Sequence, residues 1–201
     1  MIPIMILAAG ASSRMRGADK LMQDVDGQPL LRRQAKMALR VSKDVRIALP
    51  ARAHARYDIV ADLPVQTLEV TASDEGMSAS LRACFASLEP DVRHAMVLLA
   101  DLPDITADDL FQVIRAAQTA PDALIWRGAT AEGTGGHPIL VSHALFKDFQ
   151  NLSGDAGGQS IVKAAGTRVH LVRFSDDRAR LDLDTPEQWA AWRRDRSLTS
   201  P

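Results

Sequence analysis

A single cysteine, Cys84, occurs in 201 residues. That excludes an internal disulfide and the stapled scaffolds of small secreted domains. Cys84 stands at helical spacing with Leu81, Phe85 and Leu88, so it is assigned to core packing, and a reducing cytoplasm is the expected setting. Neither sign of charge is in excess: 24 Lys and Arg oppose 25 Asp and Glu, for a net charge of -1. Nucleic-acid and anionic-membrane partners draw on a basic surplus and are not expected; any anion site must be local. The opening MIPIMILAAG has no basic leader and only a short apolar run, so neither a signal peptide nor a membrane span is expected.

Several catalytic signatures are also missing. Gly17 is followed by Ala18, Asp19 and Lys20 rather than by Lys and Ser or Thr, and no GxGxxG occurs, which argues against a kinase or a dinucleotide dehydrogenase. His54, His94, His137, His143 and His170 show no metal-ligand spacing. Ser12, Ser13, Ser78 and Ser80 have no adjoining His and no nucleophile elbow, which excludes acyl transfer. Trp126, Trp189 and Trp192 lack a basic stripe and read as core or interface residues rather than base-stacking platforms.

What is present is an ordinary globular composition, 46% hydrophobic and 24% charged, in a length that suits one self-sufficient domain. Residues 1–196 are assigned to it and 197–201 to a frayed tail. Strand-like and helix-like runs alternate throughout: an α/β fold, a single-domain Rossmann-like three-layer α/β/α sandwich with a mostly parallel sheet. Strands are expected at about 3–7, 45–49, 65–70, 95–100, 123–126, 139–141 and 169–174. Helices are expected from Pro29, from Ser78 as cap, from Thr106 as cap, near 144–149, and from Thr185, where Pro186 and Gln188 complete a capping box.

In such folds ligands gather beyond the carboxyl ends of the strands. The stretch ILAAGASSRMRGADKLM at 6–22 follows the first strand with Gly, Ala and Ser and then three cations, Arg14, Arg16 and Lys20. Gly10 lets a ligand approach the backbone, successive N–H groups can form an anion-binding hollow, and Arg14 and Lys20 can neutralise phosphate oxygens. Asp101 ends the wholly apolar AMVLLA strand and faces the same crevice, as a magnesium ligand can. Asp182 and Asp184 in LDLDTPEQW share one side of an extended segment, and either can supply a second carboxylate.

With these residues assembled, the sequence resembles the molybdenum-cofactor nucleotidyltransferases and their MobA-like relatives, which share a GT-A-like fold. Their opening pattern is L-A-(A or G)-G-x-S-x-R-M-G-G-x-D-K, against LAAGASSRMRGADK in this chain. EGMSASLRACF, LLADLPDIT, GGHPILV, LSGDAGG and LDLDTPEQW follow in family order. The resemblance implies that Leu7, Ala8, Ala9, Gly10, Arg14 and Lys20 hold a nucleoside triphosphate, with Gly76, Ser78 and Ser80 seating base and ribose. Asp101 would carry Mg²⁺ with Asp184 or Asp182, and Arg14, Lys20 and Asp101 would be catalytic. Gly136, His137, Pro138, Gly154 and Asp155 would face a phosphorylated acceptor such as molybdopterin, and a molybdoenzyme would be a transient partner.

The LAAG form looks like the cytidylyl-transferring branch, so CTP is expected over GTP. Arg16 stands where the pattern has Gly, and three roles stay open for it: a phosphate contact, acceptor selection, or solvent. Gly157, Gly158 and Gln159 lie near the place where many relatives carry a basic residue for the acceptor. Two other readings compete, a sugar-phosphate nucleotidyltransferase and a non-catalytic nucleotide- or cofactor-binding accessory protein for a molybdoenzyme.

Overall fold

The computed structural model describes residues 1–72, 76–154 and 157–199, with backbone alone at 198 and 199. Nine strands and six α-helices run in the order β1 (Ile4–Leu7), β2 (Asp24–Val25), β3 (Gln28–Pro29), α1 (Leu30–Leu39), β4 (Val45–Pro50), β5 (Gln66–Val70), α2 (Met77–Ala86), β6 (His94–Leu99), α3 (Ala107–Thr119), β7 (Ile125–Ala129), β8 (Gly135–Ser142), α4 (Phe146–Gln150), α5 (Gln159–Ala165), β9 (Val169–Arg173) and α6 (Pro186–Thr199), all among the described residues. Seven strands form one sheet, ordered β5-β4-β1-β6-β8-β7-β9. Pairing is parallel throughout except where β8 runs antiparallel to both β6 and β7. The sheet is therefore mostly parallel, as the alternating sequence pattern implies.

Side chains alternate across a strand, and each face of this sheet has its own core. Ile4 and Ile6 pack with Leu30 and Leu31 of α1, Leu110 and Val113 of α3, and Trp189 of α6. Met5 points the other way, into Leu81, Cys84 and Phe85 of α2, Phe149 of α4 and Ile161 of α5. Two packed helical faces on one sheet make the three-layer sandwich. All three tryptophans are buried, and burial pushes the Cys84 thiol up to about 12. Among the described residues no helix is long and apolar enough to cross a membrane.

Register fixes the site. Leu7 at the end of β1 pairs with both Ala48 and Leu99, so the segments that follow β1 and β6 leave the sheet side by side.

The structure corrects three expectations. Ser78 does not cap α2: the helix begins at Met77 behind Gly76, at φ 68°, and the Ser78 hydroxyl, buried within the first turn, accepts the Gly157 N–H at 3.2 Å. The 139–141 strand is the end of a longer one, β8, which begins at Gly135. Its glycines, which punctuate the sequence like a loop, serve close packing: a Cβ at Gly136 would collide with the Ala179 carbonyl, and one at Gly135 would meet the Arg127 guanidinium at 2.8 Å. Residues 159–165, assigned to no element by the sequence pattern, form α5. Residues 197–199 continue α6, and 200 and 201 of the expected tail lie outside the described residues. The guanidiniums of Arg193 and Arg196 lie over the rings of Trp189 and Trp192 at 5.1 and 4.7 Å, and Arg196 reaches Asp26 at 3.0 Å, which holds the last turns down.

Candidate active site

The opening loop is braced from beneath. Arg56, only 1% exposed, sends Nη1 to the carbonyls of Ala8 at 2.6 Å and Gly10 at 2.8 Å. Its Nε and Nη2 each lie 2.7 Å from a different oxygen of Asp19, and Nη2 also reaches Ser12 Oγ at 3.1 Å. Asp19 Oδ1 accepts the Leu21 N–H at 2.9 Å as well. Burial opposes ionisation of Asp19, but Arg56 and the donors from Leu21 and Ser12 win, and its carboxyl is held below the ordinary value. A planar fork against a carboxylate is the strong form of such a pair. No motif surrounds Arg56 in the sequence; the one hint of its role is Asp19, a carboxylate inside a cationic loop that requires a partner.

Above this brace the loop presents backbone. A Cβ built at Gly10 meets no protein atom within 4 Å, and Gly10 lines a cavity of about 290 Å³ together with Leu7, Ala8, Ala9, Lys20, Gly76, Ser80 and Asp101. Glycine thus leaves open the space a ligand would enter. Of the residues expected to hold nucleotide, Ser78 is instead turned to Gly157 within α2. Arg14 is 71% exposed and engages Asp184 at 2.5 Å.

Lys20 joins the distant carboxylates. Its Nζ lies 2.5 Å from Asp101 Oδ2 and 2.6 Å from Asp184 Oδ1, which brings together residues from the loop after β1, the end of β6 and the segment before α6. Each is positioned by its surroundings. Gln34 and Arg33 of α1 donate to the carbonyls of Leu102 and Pro103 at 2.8 and 2.5 Å, fixing the exit of β6. The Leu183 N–H donates to the Asp101 carbonyl at 3.2 Å. The expected capping box is present: Gln188 Oε1 accepts the N–H groups of Asp184 and Thr185 at 2.8 and 3.0 Å, and Thr185 Oγ1 accepts that of Gln188 at 3.2 Å. The cap that starts α6 therefore also aims Asp184.

Burial lowers the affinity of Lys20 for a proton, yet Asp101 and Asp184 raise its pKa overall. Burial likewise works against ionised Asp184, but Lys20 and Arg14 hold its carboxyl below the ordinary value. Asp182 is pushed up, by burial first and then by the Asp101 and Asp184 carboxylates. Two carboxylates thus hold one ammonium, with Asp182 near enough to feel the charge of all three, and the arrangement favours further positive charge.

Among the described residues no group of three or more His, Cys, Asp or Glu side chains is arranged to hold a metal. Magnesium asks for less, one or two carboxylates with substrate phosphates completing the sphere. Asp101 fits that demand: its Oδ1 is buried without a hydrogen-bond partner, a costly state for a carboxylate oxygen that a cation would relieve.

Arg16 faces elsewhere. Its backbone is left-handed, at φ 52°, and its side chain, 74% exposed, pairs with Glu187 at 2.6 Å. Of the residues expected at the acceptor, His137 lines a neighbouring cavity of about 330 Å³ with Arg127 and Arg180, and Gly136 lines a recess of about 200 Å³ with the same two arginines and Asp182. Pro138 is buried in β8, Gly154 adopts φ 71°, and Asp155 lies outside the described residues. Nothing in the sequence pattern marks Arg127 or Arg180, since one lies in a strand and the other in an isolated turn.

The model of the MobA-like NTP transferase domain matches residues 4–170. Rv0371c from Mycobacterium tuberculosis H37Rv is 25% identical over 95% of this chain and 96% of its own, with a TM-score of 0.79. Its homologue from Mycobacterium sp. strain JC1 is 25% identical over 99% and 98%, at 0.81. Rv0371c has also been solved in complex with manganese, in a structure 23% identical over 94% and 96% with a TM-score of 0.74. No curated protein matches significantly. With its opening loop, its strand-end aspartate and the match over most of its length, the chain belongs to the MobA-like NTP transferase domain family.

Proposed function

We propose that the protein is a Mg²⁺-dependent nucleotidyltransferase that moves a nucleoside monophosphate from CTP, in preference to GTP, onto the phosphate of molybdopterin and releases pyrophosphate. The observation that carries this reading is Lys20 held between Asp101 and Asp184 at the edge of the cavity that Gly10 leaves open. Cation and carboxylates neutralise one another, and the same groups would engage triphosphate and metal.

The chain's own groups suit the chemistry. An acceptor phosphate oxygen attacks the α-phosphorus, the bond from that phosphorus to the bridging oxygen of the β-phosphate breaks, and pyrophosphate leaves. The nucleophile is already anionic at neutral pH, so no strong general base is needed, and among the described residues lining the nucleotide cavity there is no histidine. The task is to align the reactants and offset their mutual repulsion. Lys20 and Arg14 supply fixed positive charge, Asp101 with Asp184 or Asp182 would hold the metal, and Gly76 and Ser80 line the wall where base and ribose would sit. Bound Mg²⁺ would screen the phosphates and stabilise the departing pyrophosphate. Manganese binding by Rv0371c supports a divalent ion at such a site. The Gly136, His137 and Pro138 strand and the Gly154–Asp155 loop would face the acceptor, and a molybdoenzyme would receive the product. The Ala8–Ala9 pair supports CTP, by its likeness to the cytidylyl-transferring branch.

The test is pyrophosphate release by the purified protein with Mg²⁺ and CTP or GTP, against molybdopterin and several sugar phosphates. Release with CTP and molybdopterin is expected. Faster release with GTP would overturn the base assignment, preference for a sugar phosphate would overturn the acceptor, and silence with every pair would overturn the enzyme.

A further inference from the structure

Asp101 and Asp184 leave their meeting point on two diverging segments. One runs from Asp101 through Leu102 and Pro103 to Asp104 and on to the Thr106 cap of α3; the other runs from Asp184 through Thr185 into α6. Backbone joins them at one place, where the Leu183 N–H donates to the Asp101 carbonyl at 3.2 Å. A single bond of that kind is a pivot, which fixes a point and leaves the angle between the segments free.

The angle is fixed further out. Trp192, about two turns into α6, donates from Nε1 to Asp104 Oδ2 at 2.9 Å. Among the described residues the indole is the only hydrogen-bond donor to that carboxylate. The indole is buried, packed edge-on against Trp189 with ring centroids 5.6 Å apart, and covered by the Arg196 guanidinium at 4.7 Å, so it has little room to turn its N–H elsewhere. The other end is equally firm. Asp104 follows the two carbonyls, of Leu102 and Pro103, that Gln34 and Arg33 hold, and precedes Ile105, which is wholly buried. A further tie between the segments is weaker: Arg178 Nη1 lies 3.5 Å from both oxygens of Asp109, whose Oδ2 already accepts the Thr106 N–H and hydroxyl. A bond from a locked donor to a charged acceptor is the stiffer link.

We propose that Trp192, acting through Asp104, is a positioning residue: the indole–carboxylate bond sets the angle between the two segments, and with it the relative direction of the Asp101 and Asp184 carboxylates that would share a divalent ion. The inference rests on the nucleotidyltransferase reading and its metal. Mg²⁺ demands near-octahedral oxygens at fixed spacing, and residues that orient the ligands from behind commonly govern how tightly an ion is held. Neither Trp192 nor Asp104 touches the nucleotide cavity. On this account α6 belongs to the metal site as well as to the layer that covers the sheet.

Mn²⁺ titrated into the full-length protein without nucleotide, and followed by electron paramagnetic resonance, tests the role. Trp192→Phe keeps a ring and loses the N–H, Asp104→Leu keeps bulk and loses the acceptor, and Asp104→Asn keeps an acceptor oxygen and loses the charge. Trp192→Phe and Asp104→Leu are each expected to weaken Mn²⁺ binding about tenfold, and the two together by about as much as either alone. Asp104→Asn should stay within about twofold of the parent, and metal-free CTP affinity should do so in every variant. Lower unfolding midpoints with unchanged Mn²⁺ affinity in the folded variants would mark a purely structural contact and overturn the proposal. Equal losses in Asp104→Asn and Asp104→Leu would also overturn it, by making charge rather than the hydrogen bond the cause. If Trp192→Phe does not fold, the two Asp104 variants decide alone. Failure of the unaltered protein to bind Mn²⁺ would sink the metal reading itself, and the positioning role with it.

Discussion

Arg56 and Asp19 meet through two parallel contacts of 2.7 Å, and the same guanidinium holds the carbonyls of Ala8 and Gly10. One buried arginine thereby fixes both ends of the opening loop. Removing it leaves Asp19 facing a desolvated gap and frees two carbonyls. Arg56→Ala is expected to cost about 3 kcal/mol or more in urea unfolding, with a matching loss of nucleotide affinity in whatever folds. Arg56→Lys should rescue only a part, since a point charge cannot reach carboxylate and carbonyls together.

Lys20→Met removes the ammonium from between Asp101 and Asp184, leaving Asp184 to Arg14 alone and Asp101 with no ion-pair partner among the described residues. Mn²⁺, followed by electron paramagnetic resonance without nucleotide, is expected to bind about tenfold more tightly to the variant, because it no longer competes with Lys20. CTP should bind about tenfold more weakly, for want of a phosphate contact. Weaker Mn²⁺ binding would show that the ammonium and the metal do not compete for these carboxylates.

Arg16 occupies a left-handed backbone position where the family pattern has Gly. A non-glycine residue there carries about 1 kcal/mol or more of strain, whereas its pair with Glu187 is open to solvent and screened. Arg16→Gly is therefore expected to change stability by no more than about 1 kcal/mol, toward greater stability. Turnover should remain within about twofold, because the side chain is directed to α6 and not to the cavity. A large loss of turnover would make Arg16 a ligand after all.

The pH dependence of stability should have its acidic slope near His137. The folded pKa of this imidazole lies below its ordinary 6.5, at about 3, so the folded protein binds fewer protons and loses stability as pH falls below 6.5. Lys20 has a raised pKa, so its contribution is complete below 10.5 and lost only above its folded value. Asp184 has a lowered one, so its contribution is lost only as pH falls below 3.8. Between about pH 7 and about pH 5 these two do not titrate. His137→Gln should reduce the change in urea midpoint across that interval, leaving the part contributed by His94, whose pKa burial also depresses; an unaltered slope would place the titrating group elsewhere.

The parts of the molecule legible in the sequence are those governed by local rules. AMVLLA reads as a strand buried on both faces, and β6 is one; Thr185, Pro186 and Gln188 announce the cap that the structure shows. Asp101, Lys20 and Asp184 were each singled out by place and charge, although 81 and 164 residues separate Lys20 from its two partners, and register alone brings them together. What was not legible depends on packing between distant segments. Gly135 and Gly136 look like loop residues until Arg127 and Ala179 are seen pressed against them. Ser78 looks like a cap until the Gly157 N–H appears. The burial of Arg56 leaves no periodic trace, because its partners are carbonyls and one carboxylate of another loop.

The most direct measurement is pyrophosphate release by Asp101→Asn, compared with the unaltered protein under saturating Mg²⁺, CTP and molybdopterin. A carboxylate that holds the metal cannot be replaced by a neutral amide without loss, so turnover should fall by about a hundredfold or more while the unfolding midpoint stays near that of the parent. Turnover within about tenfold of the parent, in a protein that still binds CTP, would contradict the assignment of the metal to Asp101.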